Sequence, residues 1–436
     1  MPEDRVLVIV YTTLYRKGGG QFPVVANTLA DERGDRGFAG EIICRAVESK
    51  RDVLHVFDEV RSSEKRIAEF HFVGHSGMYG PMFGTVAFPE QFSPYEWETM
   101  EIPFANEAAA YFHCCRSARW FAPYFARTFN VRSYGFFWYT TFSRSKSKYA
   151  AAGNRKEQPL YTIGCKGRKS HGYLASVQKR LGMMPAEEMK RYDPLPPDGD
   201  TSYDNVAELY DAAFVDIRVR KDEWKWLSSH LPEGPIKVLD IGCGNGALLN
   251  ALSDRIGSGC GVDESARIIE RAKLKNADKG NLSFQKINGP VLPFEDASFD
   301  VVISLMSFRY LDWDPLLQEI KRVTKASGKF LIVDMVTVPV KATEYPQLLR
   351  DKIRSARDQR HNKRFNTALK RLVSHPDWKK MLEYNPIRSE HEMKWYLESR
   401  FPGQKMEILN MAWNARIVAF DSGPVENGID AKLTYP

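Results

Sequence analysis

Long apolar runs are what this 436-residue chain most clearly lacks. A helical bilayer span needs about 20 consecutive apolar residues. The best candidate near the start, VLVIV after Glu3 and Asp4, is too short even for a signal-peptide core. A cytoplasmic protein with no membrane partner is therefore expected. Cysteine is scarce as well: six residues, with no CxxC pair and no regular spacing, exclude a disulfide framework and fit a reducing compartment. A strong charge of one sign is also missing. The net charge is only +7, and although Lys and Arg outnumber Asp and Glu by 15 to 8 between residues 339 and 400 and by 8 to 1 between 144 and 169, neither segment carries a nucleic-acid module. Both read as solvated basic faces, so nucleic acid is not expected as a partner. Internal repeats and low-complexity tracts are absent, and nothing in the chain specifies an oligomeric state.

What is present suffices for two ordinary domains, because 43% of the residues are hydrophobic. The stretch from Pro185 to Asn205, PAEEMKRYDPLPPDGDTSYDN, is polar and rich in proline, glycine and aspartate, which keeps a chain extended and poorly buried. It divides the chain into residues 1–184, a linker 185–202, and residues 203–436.

The most informative motif lies in the second part. VLDIGCGNGALL, Val238 to Leu249, reads as a buried strand, a glycine turn and a helix start. Its glycines let backbone amides approach a ligand at a helix N-terminus. Seventeen residues past Gly246, Asp263 ends a second apolar strand, where a carboxylate can accept from both hydroxyls of a ribose. The spacing DxGxGxG, with Asp240, Gly242, Gly244 and Gly246, resembles the first motif of class I S-adenosylmethionine (SAM)-dependent methyltransferases of the type 11/25 kind. LPFEDASFDVVIS, Leu292 to Ser304, and LLQEIKRVTKASGKFLIVD, Leu316 to Asp334, resemble the fourth strand and the helix, turn and fifth strand of that family.

The resemblance implies a Rossmann-like seven-stranded α/β sheet with SAM as cofactor. On it, the loop Gly242 to Gly246 faces the methionine tail, Asp263 holds the ribose with Glu264 beside it, and Asp240 and Ser304 join the cofactor-binding positions. Asn288 stands where relatives have an acidic acceptor for the adenine amino group, and its side-chain oxygen can still accept. Val206 to Leu227 has apolar residues at helical spacing before the first strand, and the resemblance implies helices folded over the cofactor there, with Tyr210 either lining the pocket or packed in a core. Methyl transfer needs alignment above all, and a base only when the acceptor is protonated. Arg309 and Tyr310 follow the fourth strand where many relatives have histidine; Tyr310 is a candidate for orienting an acceptor, or else a structural aromatic. Residues 338–401 are too many for a simple connection and predict a helical insertion before a terminal hairpin at MEILNM and ARIVAF. As an acceptor lid, with its arginines, His361, His375, Trp378 and Tyr384, it would suit an anionic or aromatic small molecule; as a surface pair of helices it would merely cover the sheet.

The first part predicts a second α/β domain beginning with the strand RVLVIVYT. Apolar runs stop at His75, in GHSG, and at Cys114 and Cys115, before a helix start at Ser117. A histidine and a cysteine after neighbouring strands are what a thiol nucleophile and its base require, with turn amides as an oxyanion hole. The pattern resembles the caspase-like fold, CHAT branch included, which implies His75 and Cys115 as catalytic residues. Other readings stay open: Ser76 as a hydrolase serine, zinc held by His71, His113, Cys114 and Cys115, or an inert domain with buried cysteines.

Two functions follow. The first is methyl transfer to a small molecule, in specialised metabolism such as natural product biosynthesis, by an enzyme fused to a caspase-like domain. The second is modification of a protein or peptide that the Cys–His domain binds or cleaves and the methyltransferase marks. The acceptor and the methylated atom have no signature in the chain, and no metal ion is expected.

Overall fold

The computed structural model describes residues 4–15, 19–77, 79–85, 87–92, 94–151, 156–165, 177, 181, 186–194, 202–311, 313–338, 340, 342–384, 387–413 and 415–429. The chain divides into an N-terminal unit through Gly199 and a C-terminal unit, Asp200–Ala431.

In the N-terminal unit, β1 (Arg5–Thr12), α1 (Phe22–Asp35), β2 (Glu41–Val47), α2 (Lys50–Ser62), β3 (Arg66–Val73), β4 (Phe104–His113), α3 (Phe121–Phe129) and β5 (Arg132–Gly135) alternate along the chain. β1 is buried on both faces, as a parallel strand between helical layers must be. α2 is started by a capping box between Ser49 and Asp52 and buries Val53, Val56, Phe57 and Val60, one helical face. After β5 come β6 (Tyr139–Ser143), β7 (Tyr161–Cys165), β8 (Ala186–Glu187) and β9 (Lys190–Tyr192). The main sheet has the order β9-β5-β4-β3-β1-β2, with β9 antiparallel to β5 and the other pairs parallel. The sequence segment read as linker therefore begins inside the fold. β8 pairs with β7 and β9 with β5, and the Tyr192 hydroxyl donates to the Ala118 carbonyl at 2.8 Å. Strand hydrogen bonds and one buried phenol outweigh a composition that is polar on average.

The C-terminal unit begins with α4 (Ser202–Asn205), α5 (Ala207–Ala213) and α6 (Lys221–His230). The helical spacing of Val206 to Leu227 is carried by two helices, parted where Asp216 accepts from the Arg218 amide and starts a short 3₁₀ turn. β10 (Lys237–Ile241), α7 (Ala247–Leu252), β11 (Ser258–Asp263), α8 (Ala266–Lys275), β12 (Leu282–Lys286), β13 (Phe299–Leu305), α9 (Trp313–Val323) and β14 (Thr324–Thr337) follow. The stretch after β14 contains α10 (Tyr345–His361), α11 (Lys363–Ser374), α12 (Pro376–Tyr384) and α13 (Glu390–Arg400). β15 (Glu407–Met411) and β16 (Ala415–Pro424) close the unit. Its sheet runs β12-β11-β10-β13-β14-β16-β15, parallel except for β16. The order reverses direction between β10 and β13. Such a switch point, at the carboxyl ends of the strands, is where α/β sheets bind ligands.

Candidate functional site

The switch point centres on the turn after β10. Gly242 and Gly244 have φ of 71° and 53°, the left-handed region that glycine enters without strain. A Cβ on Gly244 would lie 2.6 Å from the Tyr210 hydroxyl, so α5 rests directly on the loop. Asn245 ties the two together: its amide donates to Asp211 and to the Phe214 carbonyl, each at 2.8 Å. Ser307 braces the other side by donating to the Ile241 carbonyl at 2.8 Å.

Asp263, at the end of β11, is 7% exposed. Its two oxygens accept from the Gly244 amide at 3.1 Å and the Ser265 amide at 3.0 Å. Burial outweighs these bonds and lifts its carboxyl from the usual 3.8 to about 6. Asp240 on β10 is 1% exposed and is pushed further, to about 8, by burial and then by the Asp263 charge. Among the described residues its Oδ1 has no hydrogen-bond partner.

A helical cap covers this loop. Tyr203 and Tyr210 pack edge to face with ring centroids 5.7 Å apart, and both phenols are held above their ordinary range, first by burial. They join Val206, Ala213 and Phe214 with Leu372, Phe365 and Trp378 of α11 and α12 in one apolar cluster. The insertion thus packs on the helices that sit over the glycine turn. Of its expected acceptor-facing residues, Trp378 belongs to this cluster. His361 is exposed and bonded through Nδ1 to the Arg357 carbonyl, and His375 lies against Asp377. The Tyr384 side chain lies outside the described residues.

Other sequence candidates are placed as follows. Glu264 is exposed beside Asp263, and Asn288 is exposed in the turn after β12. Ser304 is fully buried and spends its hydroxyl on the Ile241 carbonyl and Ser307, bracing β10 against β13 instead of facing a ligand. Tyr310 is half-buried, and its oxygen accepts from Arg309 at 2.6 Å. Arg309 is locked to the buried Asp334, which also takes the Arg309 amide at 2.8 Å. Tyr203, Asp204 and Ser307 have no counterpart among the sequence candidates. Asp204 accepts from Ser265 next to Asp263. The seven-residue spacing of Tyr203 and Tyr210, two turns of a helix, was the available signal, but the polar surroundings of Tyr203 read as linker.

In the N-terminal unit, Val73 of β3 is in register with His113 of β4, so His75 and Cys115 leave adjacent parallel strands. Cys114 is fully buried and burial pushes its thiol up, whereas Cys115 is half-buried. The Cys115 sulfur lies 3.2 Å from the Thr140 hydroxyl and accepts from the Thr140 amide at 3.3 Å. His75 packs edge-on against Tyr15 and Phe22. Arg116 follows Cys115 with φ of 57°, a left-handed conformation unusual for arginine. The expected oxyanion amides are already engaged in part: Arg116 donates to the Trp138 carbonyl and Ala118 to the Phe136 carbonyl, each at 3.0 Å. The zinc alternative loses its ligands, since His71 Nδ1 and His113 Nε2 face each other at 3.1 Å and His71 Nε2 is held by Glu69. Ser76 donates its hydroxyl to the Cys115 carbonyl, a structural bond at a strand end.

Residues 239–332 match the profile of a family described as a methyltransferase domain. An uncharacterized methyltransferase, YcgJ, of Bacillus subtilis (strain 168) is 29% identical over 170 residues, which cover 38% of this chain and 62% of that protein. A demethylmenaquinone methyltransferase of Lactococcus lactis is 38% identical over 105 residues, 23% of this chain and 42% of that protein. The solved structure of the B. subtilis YcgJ protein is 19% identical, covering 46% of this chain and 96% of that chain with a TM-score of 0.29. The chain thus spans less than two thirds of the length of these curated relatives. Residues 239–332 of the C-terminal unit thus match a methyltransferase domain, and the cofactor that such a match implies is SAM. The residues present fit that molecule. The unpartnered Asp240 Oδ1 can accept from the ammonium of an amino acid tail, while the Gly242, Cys243, Gly244 and Gly246 amides are engaged within the protein; each Asp263 oxygen, with one backbone bond made, keeps a lone pair for a ribose hydroxyl.

Proposed function

We propose that the protein transfers the methyl group of SAM to a small, largely apolar acceptor held beneath the α11–α12 cap. When bound, SAM supplies an activated methyl on a sulfonium. The observation that carries this reading is the bond from Gly244 to Asp263, which joins the tail-binding turn to the ribose-binding carboxylate beneath the cap. Asp263 and Asp240 hold and orient the cofactor, Tyr203 and Tyr210 exclude water, and Trp378 packs with them in the apolar cap above the turn, the side from which an acceptor would approach. With no free histidine at the end of β13, the chain's part is alignment of an acceptor that needs little help in losing a proton. The quinone precursor named for the L. lactis relative supports an apolar aromatic class. Incubation of the full chain with methyl-labelled SAM and a panel of phenols, quinols and polypeptides tests this. Label in small molecules is expected; label confined to polypeptides would reject it.

A second activity is proposed for the N-terminal unit: thiol hydrolysis or peptide binding with Cys115 as nucleophile and His75 as base, in a caspase-like domain. It is supported by the half-exposed Cys115 at a strand end adjacent to that of His75, and by a six-stranded sheet whose last edge strand is antiparallel. Specialised metabolism and a cytoplasmic location belong to the same proposal.

A further inference from the structure

The outer face of α10 serves none of the roles assigned above. The helix buries Leu348 and Asp351, while Tyr345, Leu349 and Ile353 are 49%, 62% and 50% exposed. These three recur every four residues and so form one apolar stripe on the solvent side. Trp413, in the turn between β15 and β16, extends it: it is 53% exposed, and its ring packs edge-on against Tyr345 at 6.0 Å. Cations flank the stripe. Lys352 lies over the Trp413 ring at 4.8 Å, and Arg350, Arg357 and Arg360 are exposed along the same helix. The acidic residues of α10 are turned away and occupied, Asp351 with Arg354 and the Met411 amide, Asp358 with Lys221.

We infer that this face docks on an anionic lipid bilayer. An apolar stripe rimmed by Lys and Arg, with a tryptophan at its edge, is the arrangement that inserts shallowly among acyl chains while its cations meet lipid phosphates. Charge decides against the alternatives. A second copy placed symmetrically on this face would oppose cation to cation, and a nucleic acid would leave the exposed aliphatic side chains of Leu349 and Ile353, at the centre of the stripe, without a partner. The sequence-level expectation of no membrane partner rested on the lack of a spanning segment; no described helix is long and apolar enough to cross a membrane, but surface docking needs none. The inference is independent of any catalytic reading.

Flotation of the full chain with phosphatidylcholine vesicles, with and without phosphatidylglycerol, tests it. Binding is expected only with phosphatidylglycerol and should be released by salt at about 0.5 M, where charges are screened within a few ångströms. Leu349→Glu with Ile353→Glu should weaken binding by on the order of a hundredfold while SAM affinity is retained. Should that variant misfold, Lys352→Glu with Arg357→Glu must lose binding by at least tenfold. In addition, brominated lipid should quench the wild type more than Trp413→Phe. Failure of the wild type to float with anionic vesicles, flotation of folded variants like the wild type, or a wild-type dimer that the Leu349→Glu, Ile353→Glu change dissociates would each overturn the assignment.

Discussion

Replacing Asp263 by alanine separates cofactor binding from folding. The carboxylate has four acceptor positions, of which two are taken by the Gly244 and Ser265 amides and two remain for ribose hydroxyls. Losing the ribose bonds should cost about 1.5–3 kcal/mol, roughly ten- to a hundredfold in SAM affinity. Two effects on stability oppose each other. The orphaned amides cost about 1–3 kcal/mol. Removing a carboxylate that burial holds at about 6 instead of 3.8 returns about 3 kcal/mol at neutral pH. The variant should therefore stay folded, with a melting temperature within a few degrees of the wild type. The same carboxylate predicts a pH dependence. Ribose hydroxyls donate to its ionised form, so wild-type affinity should fall as pH drops below about 6, by up to tenfold per unit. The alanine variant should lack that fall. Isothermal titration calorimetry of both proteins between pH 5 and 8 reads all of this, and an Asp263→Ala protein that is folded and binds SAM with wild-type affinity would refute the placement of the ribose site.

Asp240 predicts a trade between stability and binding. Its folded carboxyl is raised to about 8, so its contribution to stability is present at low pH and is lost as pH rises through that value. Asp240→Asn should melt higher than the wild type at pH 8, by several degrees, yet bind SAM more weakly; differential scanning calorimetry that finds it less stable at pH 8 would show the burial argument to be wrong. Gly244→Ala meets both a positive φ and the Tyr210 hydroxyl, so it should lose SAM affinity by more than tenfold, and pairing it with Tyr210→Ala should recover only the steric part. In the N-terminal unit, brief iodoacetamide treatment followed by peptide mass spectrometry should modify Cys115 well before the fully buried Cys114. Equal or reversed labelling would remove Cys115 as a nucleophile.

The chain by itself determined the parts of this protein that are local. The glycine spacing, the acidic residue at the next strand end and the apolar strands are short-range patterns, because positive φ and strand burial are properties of a few consecutive residues. The positions of β10, β11, β13 and β14 were legible for that reason, as was the presence of helices between β14 and the closing hairpin. The adjacency of the strands before His75 and Cys115 was anticipated too, but their register was not. Only the tertiary structure decided how segments far apart in sequence share a core. Tyr203 and Tyr210 meet Leu372 and Trp378 across more than 150 residues, and Ser304 turns from a ligand position into a brace. The segment from Ala186 to Tyr192 joined two sheets, Ala186 and Glu187 in the three-stranded one and Lys190 to Tyr192 in the main one, although its composition reads as linker, since backbone pairing needs no apolar side chain. The outward turn of the α10 stripe was hidden for the same reason. An amphipathic period says that a helix has an apolar face, and only the packing of Leu348 and Asp351 beneath it says which face is left to solvent.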